Sequence, residues 1–329
     1  MHTPIKFRHL RAIWIAAVLT IGLCSCQKDD DPSPPVRVTG YQNNTLTVPA
    51  NSVVEIEGNL EFNPDLNPGL VLEGNATFKL DQSMSMTWPA SFVKPANAHV
   101  TITSRIPGQQ WYRLLLPATS SITLENFTLE DGQIGVYSDG ANNLDLTGFS
   151  ISNCSQYGVY ITNADTLRID DFQIDNCLDY GIQTKFSTVF ISNTTIANCF
   201  QGITTTDCTI QIHDSWFNDN TSSGVHLDGA LSNAIIEYCS FENRWYALYN
   251  YSNRHLRFRK NQILHQNDYA VYIPRAHTSE ILFEQNNVMP GGSQNNRMVL
   301  IRDGLYEGGE RYLIAGNNWW GTTDTTVIR

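Results

Sequence analysis

Residues 122–320 carry one short pattern about nine times, at a period of about 22 residues. The copies read Leu124-Glu-Asn-Phe-Thr-Leu129, Leu146-Thr-Gly-Phe-Ser-Ile151, Ile169-Asp-Asp-Phe-Gln-Ile174, Ile191-Ser-Asn-Thr-Thr-Ile196, Ile212-His-Asp-Ser-Trp-Phe217, Ile236-Glu-Tyr-Cys-Ser-Phe241, Phe258-Arg-Lys-Asn-Gln-Ile263, Phe283-Glu-Gln-Asn-Asn-Val288 and Ile314-Ala-Gly-Asn-Asn-Trp319. Their first residues lie 22, 23, 22, 21, 24, 22, 25 and 31 apart. A fixed period of this length marks a stacked repeat architecture. What one repeat can build therefore decides the fold.

Each copy opens with apolar residues at every second place, as in Val189-Phe190-Ile191-Ser192 and Leu256-Arg257-Phe258-Arg259. That is the period of a strand. Seven places after each start stands Asp131, Asn153, Asn176, Asn198, Asp219 or Asn243. Asn and Asp tolerate a left-handed backbone and bond to their own main chain, so these positions predict a corner. A second strand then follows a small residue: Gly135, Gly158, Gly181, Gly202, Gly224, Ala247 and Ala270. A repeat of two or three short strands cannot bury its own apolar side, whereas a stack of such repeats can. The expected fold is all-β: a right-handed parallel β-helix, a solenoid of about 22 residues per turn. The nine starting residues, Leu124 to Ile314, predict one internal ladder, and Leu129, Ile151, Ile174, Ile196, Phe217, Phe241, Ile263 and Val288 a second. Cys154, Cys177 and Cys199 stack eight places after their starts and read as small buried hydrophobes. A disulfide between adjacent turns is left open for them, and Cys208 and Cys239 are likewise unassigned.

Residues 40–121 read as earlier, less regular turns. Leu46–Val48, Val54–Ile56, Leu60–Phe62, Leu70–Leu72, Phe78–Leu80, Val100–Ile102 and Leu114–Leu116 are strand-like, with Asn, Pro and Gly between them.

The chain opens with a basic start (Lys6, Arg8, Arg11) and the apolar run Ala12–Leu23, too short for a permanent span. Leu23-Cys24-Ser25-Cys26 resembles the lipobox of bacterial lipoproteins, which implies cleavage after Ser25 and a lipid on Cys26, with Cys24 the rival site. Gln27-Lys28-Asp29-Asp30-Asp31 resembles the export signal of surface lipoproteins in Bacteroidetes-type bacteria; the plain alternative is a solvated charged tether. Pro32-Ser33-Pro34-Pro35 makes a stiff spacer. The expected organisation is a signal peptide over 1–25, a lipidated acidic and Pro-rich tether over 26–39, irregular β-helix turns with a cap over 40–121, and regular turns over 122–329. The expected place is the outer membrane, anchored by the lipid on Cys26 and exposed at the cell surface. Formal charge is −11, and loss of the three cations in the signal gives −14. Such a surface repels nucleic acid.

Ile102-Thr-Ser-Arg-Ile-Pro-Gly-Gln-Gln-Trp-Tyr-Arg-Leu-Leu115 carries a further likeness, together with Ser121-Ile-Thr-Leu-Glu-Asn-Phe127 and Asn317-Asn-Trp-Trp-Gly-Thr322. These segments resemble the pectin-lyase-like β-helix proteins secreted by Bacteroidetes. The likeness spans most of residues 45–322 and is specific for fold. It is weak for function, because that superfamily holds lyases, hydrolases, epimerases and proteins of no known activity. Calcium enters only as something the resemblance implies, and the acid clusters of pectate lyases have no evident counterpart here; no cofactor or metal site is otherwise expected. In those relatives the chain runs on after the Asn-Asn-x-Trp-Gly-Thr element, so a missing C-terminal cap, or an end covered by another protein, is expected here.

Chemistry is expected on the outward residues of the strand after the small residue. One column reads Tyr137, Tyr160, Gln183, Thr204, His226, Tyr249 and Tyr272; the next reads Asp139, Thr162, Lys185, Thr206, Asp228 and Tyr251. Tyr157, Tyr180, Tyr246 and Tyr269 precede the small residue. Rings stack on sugar faces and polar tips bond hydroxyls, so Tyr137, Tyr160, Tyr246, Tyr251, Tyr269 and Tyr272 are candidate polysaccharide-binding residues. The bland alternative is like-on-like packing of a parallel sheet. A lyase acting on uronic acids needs a base, an acid and a cation for the carboxylate. His226, Tyr249 and Lys185, with Asp228 beside His226, are the candidate set, although Lys185 is expected roughly 10 Å from Asp228. Paired carboxylates across one cleft, as hydrolases need, are not found. Glu237, Arg259 and Glu284 read as a surface charge ladder, and Arg254–Lys260 as the one basic run. The segment 291–311 is the one insertion long enough to form a wall. The function expected is binding or handling of extracellular polysaccharide by a non-catalytic module. A lyase, less so a hydrolase, and a structural surface protein without ligand are the alternatives.

Overall fold

The computed structural model describes residues 35–118, 121–229, 233–251, 255–266, 269–274, 280–289, 299–301, 312–314 and 316–320. The signal segment, the lipidation site Cys26, most of the tether and most of the 291–311 insertion lie outside the described residues. Every pairing among the described strands is parallel, and each strand bonds to its counterpart one repeat away. No helix occurs among the described residues.

One turn shows the construction. Thr188–Ser192, Thr195–Ala197 and Gln201–Thr206 are its three strands. Three single residues with left-handed backbone make the corners: Asn193 (φ 48°), Asn198 (φ 56°) and Asp207 (φ 51°). The corners stack from turn to turn. The first is occupied by Asn126, Gly148, Asp171, Asn193 and Asp214, the second by Asp131, Asn153, Asn176, Asn198 and Asp219, the third by Gly140, Asn163, Phe186, Asp207 and Gly229. One left-handed residue redirects the chain without a loop, and short Asn and Asp side chains reduce the strain of that geometry. Only the second corner was expected from the sequence, and there Asn243 is a correction. It has no left-handed backbone; its turn is one residue shorter, and Asn243 is buried, accepting a hydrogen bond from Asn220 Nδ2 at 2.9 Å.

Both apolar ladders form in the expected register, Leu124 through Phe283 and Leu129 through Val288, and all are buried. Each fully buried Leu, Ile or Phe contributes about 1.5–3 kcal/mol. Rings stack where two follow one another, as in Phe127–Phe149 (5.0 Å), Phe149–Phe172 (4.8 Å) and Phe217–Phe241 (4.9 Å). The small residues that open the third strand are required by close approach. A Cβ on Gly181 would lie 2.4 Å from Ile196 Cγ2 and 2.7 Å from the Gly202 carbonyl.

The last copy departs from its expected alignment. Leu282, not Phe283, pairs with Ile314, and Asn287 with Trp319, an offset of 32 residues. Asn318 sets this register: its Oδ1 accepts the Asn286 backbone N–H at 2.8 Å and its Nδ2 donates to the Phe283 carbonyl at 2.8 Å. Trp320 then reaches the core beside Phe283, with ring centres 5.8 Å apart. At the other end, the strand Val36–Gln42 pairs with Ser52–Phe62, so ordered structure includes four residues assigned by composition to the tether.

Polar columns run through the interior beside the apolar ones. The cysteine column, Cys154, Cys177 and Cys199, is buried and forms no disulfide, and neither does Cys239. Cys208, also buried, meets Thr184 Oγ1 at 3.6 Å. Hydrogen bonding to the thiol one turn below, then burial, pushes the Cys177 and Cys199 thiols far up, and burial pushes Cys239 up to about 12. Asn220 continues this column, with its Oδ1 accepting the Cys199 N–H at 3.0 Å. A second column holds Cys239, Asn261, Asn286 and Asn318. Each asparagine oxygen accepts the backbone N–H one turn below, and each Nδ2 donates to a carbonyl near the same corner. These side chains satisfy backbone groups that the corner takes out of the ladder. Asn286→Ala leaves the Asn261 N–H and the Phe258 carbonyl without partners, and we expect a loss of about 2–4 kcal/mol, read by urea unfolding. An unchanged midpoint would show that the column carries no stability.

Candidate functional site

The third strand of each turn has its alternate residues outside, and successive turns align them. Tyr137, Tyr160, Gln183, Thr204, His226, Tyr249 and Tyr272 form one outward column in unbroken register. Asp139, Thr162, Lys185, Thr206 and Asp228 form a second. Tyr157, Tyr180, Gln201, Ser223 and Tyr246 align in a third, in which Gln201 and Ser223 are buried. The tyrosines in these columns are all half-buried, with one part of each ring packed and the rest in solvent.

The rings gather into two platforms. In the first, Tyr137 meets Tyr160 edge-on at 5.5 Å, Tyr157 lies 5.1 Å from Tyr160, and Tyr157 stacks on Tyr180 at 5.6 Å. Lys185 places its ammonium 5.6 Å from the Tyr160 ring centre, and Arg113 its guanidinium 4.2 Å from that of Tyr137. In the second, His226 meets Tyr249 at 4.6 Å, Tyr249 meets Tyr272 at 5.2 Å, and Tyr246 and Tyr269 each stack on Tyr272, at 5.4 and 5.6 Å. Trp245, half-exposed, stands edge-on to Tyr246 at 6.3 Å. Between the platforms lie the polar residues Gln183, Gln201 and Thr204. Tyr251 holds its place above Asp228 through its N–H on the Leu227 carbonyl, at 2.8 Å.

Of the four candidate catalytic residues, the structure brings three together. His226 and Asp228 share one strand and one face, and Tyr249 touches the His226 ring. Lys185 is two turns away from Asp228, with Thr206 between them, and its cation rests on Tyr160 instead. His226 Nδ1 lies 3.1 Å from Gln201 Oε1, which also accepts from Thr204 Oγ1 at 2.6 Å. An amide oxygen can only accept, so Nδ1 carries the proton and Nε2 the lone pair. Burial holds His226 below the ordinary histidine value, and the nearby Asp228 charge opposes this only in part.

Gln201, Arg113 and Tyr112 were not singled out by sequence reasoning. Arg113 and Tyr112 precede the regular repeats, and Gln201 interrupts a column of tyrosines. The charge ladder reads as expected, with Arg259 Nε 2.6 Å from Glu237 Oε1. A shallow cavity of about 260 Å³ lies elsewhere, lined by Phe92, Val93, Lys94, Ala96, Thr123 and Glu125. Lys94 donates there to the Ala98, Pro95 and Ala96 carbonyls, so its donors are committed to the chain. No group of side chains suited to a metal ion occurs among the described residues.

His226 makes a pH prediction. Its folded pKa is depressed, so below the ordinary value of 6.5 the unfolded chain takes up a proton that the folded chain refuses. Stability therefore falls as pH drops below that value, until the folded pKa is reached. His226→Gln should flatten this part of the thermal-melting profile; an unaltered slope would contradict the assignment.

Residues 93–234 match the family described as the right handed beta helix region. No curated protein and no solved structure matches the chain. The matched segment contains the turns that carry the first platform and reaches His226 and Asp228. With its parallel stacked strands, the chain is a right-handed parallel β-helix, similar over these turns to that family.

Proposed function

We propose that this β-helix binds extracellular polysaccharide through its tyrosine-rich strip, as a non-catalytic module. The observation that carries the reading is the pair of aromatic platforms on the outer face of one continuous sheet, each with rings 4.6–5.6 Å from a neighbour. Half-buried tyrosines keep rigid rings at low entropic cost and present apolar faces on which sugar rings stack. The sheet fixes the spacing, so the surface is organised before any ligand arrives.

A lyase is the second reading, favoured by His226. A neutral imidazole with a bare Nε2 beside Tyr249 is a competent base next to an acid. The placement of Lys185 on the other platform weighs against it, since among the described residues no lysine then rests beside the base to quiet a carboxylate.

A glycan array, with an absorbance assay for unsaturated uronate on alginate, pectate and glycosaminoglycans, separates these readings. The module reading expects array binding without turnover. Tyr249→Ala should weaken binding at least tenfold, about 1.4 kcal/mol or more, with an unchanged melting temperature. Product formation abolished by His226→Ala would support the lyase. Neither binding nor turnover would leave the structural surface protein.

We propose further that the lipid on Cys26 holds the module at the outer membrane, facing outwards. The lipobox-like Leu23–Cys26 and the acidic segment after it support this. Labelled palmitate should enter the wild-type protein and not Cys26→Ala; equal labelling of the two would overturn it.

A further inference from the structure

Arg113 is a cation without an anion. Its guanidinium lies between two rings, 4.2 Å from the centre of Tyr137 and 4.7 Å from that of Tyr112. Its Nε is buried with no hydrogen-bond partner. Among the described residues no carboxylate forms an ion pair with it. The other arginines for which ion pairs are seen, Arg37, Arg105, Arg168 and Arg259, sit beside Asp or Glu. In a chain of formal charge −11, an arginine that rests on two aromatic rings and forms no ion pair among the described residues stands out.

Its position ties it to the strip. Arg113 belongs to the strand Trp111–Leu116, which pairs with the strand of Tyr137, so it extends the first platform by one turn. Lys185 bounds the same platform at its other end, three turns along, roughly 14 Å at one strand spacing per turn. The acid of the same strand, Asp139, is engaged otherwise: its Oδ1 accepts from Thr162 Oγ1 at 2.6 Å and from Asn163 Nδ2 at 2.7 Å. Among the described residues no cation rests on a ring of the second platform, and burial keeps His226 towards its neutral form. Among the described residues, the cations that rest on rings of the strip, Arg113 and Lys185, both belong to the first platform.

A guanidinium stacked on rings keeps its planar fork free at the edge, the geometry that takes a carboxylate or sulfate in paired hydrogen bonds. Two rings hold it still, so little freedom is lost when an anion arrives. We propose that Arg113 determines specificity on the strip by seating an anionic group of the bound polysaccharide, a carboxylate or a sulfate, at the first platform. This rests on the strip being the glycan-binding surface.

The test compares matched ligands by calorimetric titration. The probes are oligogalacturonate and its carboxyl-reduced form, and a sulfated galactan oligosaccharide and its desulfated form. The wild-type protein should bind at least one anionic member roughly tenfold tighter than its neutral counterpart, and added salt should narrow the difference. Which pair shows the preference identifies the anion. Arg113→Gln should bring the pair to equal affinity by weakening the anionic member alone, and Arg113→Lys should keep part of the preference. Equal wild-type affinities within both pairs would overturn the proposal while leaving the glycan reading intact. So would an equal loss for both members in Arg113→Gln, which is what a merely structural arginine produces. Binding of none of the four probes would overturn the glycan reading and this inference together.

Discussion

The parallel hydrogen-bond ladder between successive turns governs every other feature of this solenoid. It sets each residue about 4.8 Å above its counterpart in the turn below. Whatever side chain suits one turn must therefore suit its own copy stacked on itself. Apolar residues satisfy that condition by interdigitation, as Leu124, Leu146 and Ile169 do. Phenylalanines satisfy it by stacking, and asparagines by passing a hydrogen bond from turn to turn, as Asn261, Asn286 and Asn318 do. Cys154, Cys177 and Cys199 stack as small buried groups without a disulfide. Outside, the same rule lines up tyrosines into a surface.

Register is the quantity on which this depends. A shift of one residue would turn every outward tyrosine inward. Three devices hold it. Single left-handed corners fix the length of each side, glycines such as Gly181 allow the close approach of neighbouring turns, and the buried asparagine column ties corner carbonyls to the next turn's amides. Where a turn changes length, the column rather than the corner is kept. Asn243 shows this: the second corner of its turn has no left-handed residue, yet the bond to Asn220 persists.

The period and the alternation of apolar residues made the fold legible, together with both ladders and the outward columns. Those are properties of single positions repeated at a fixed interval. Less legible were the features that depend on what a neighbour one turn away supplies. The first corner was missed because Asp171, Asn193 and Asp214 share their stack with Tyr238 and Lys260, which no turn preference would select. The final register was misjudged by one because two asparagines in a row, Asn317 and Asn318, could each be aligned with Asn286, and only the hydrogen bonds choose. In the candidate site, His226, Asp228 and Tyr249 were legible from strand alternation. The role of Gln201 in setting the His226 tautomer was not, because it joins two turns 25 residues apart.

On the proposed reading, the strip is a passive, pre-ordered ruler for a linear polymer, with its chemistry set by which residues interrupt the tyrosines. The most direct test is a crystal structure with a bound oligosaccharide drawn from the array. The account predicts a chain lying along the strip, parallel to the helix axis, with sugar faces on Tyr160 and Tyr249 and no backbone rearrangement. A ligand seated on another face, or one reached only after the strands of the strip shift, would contradict it.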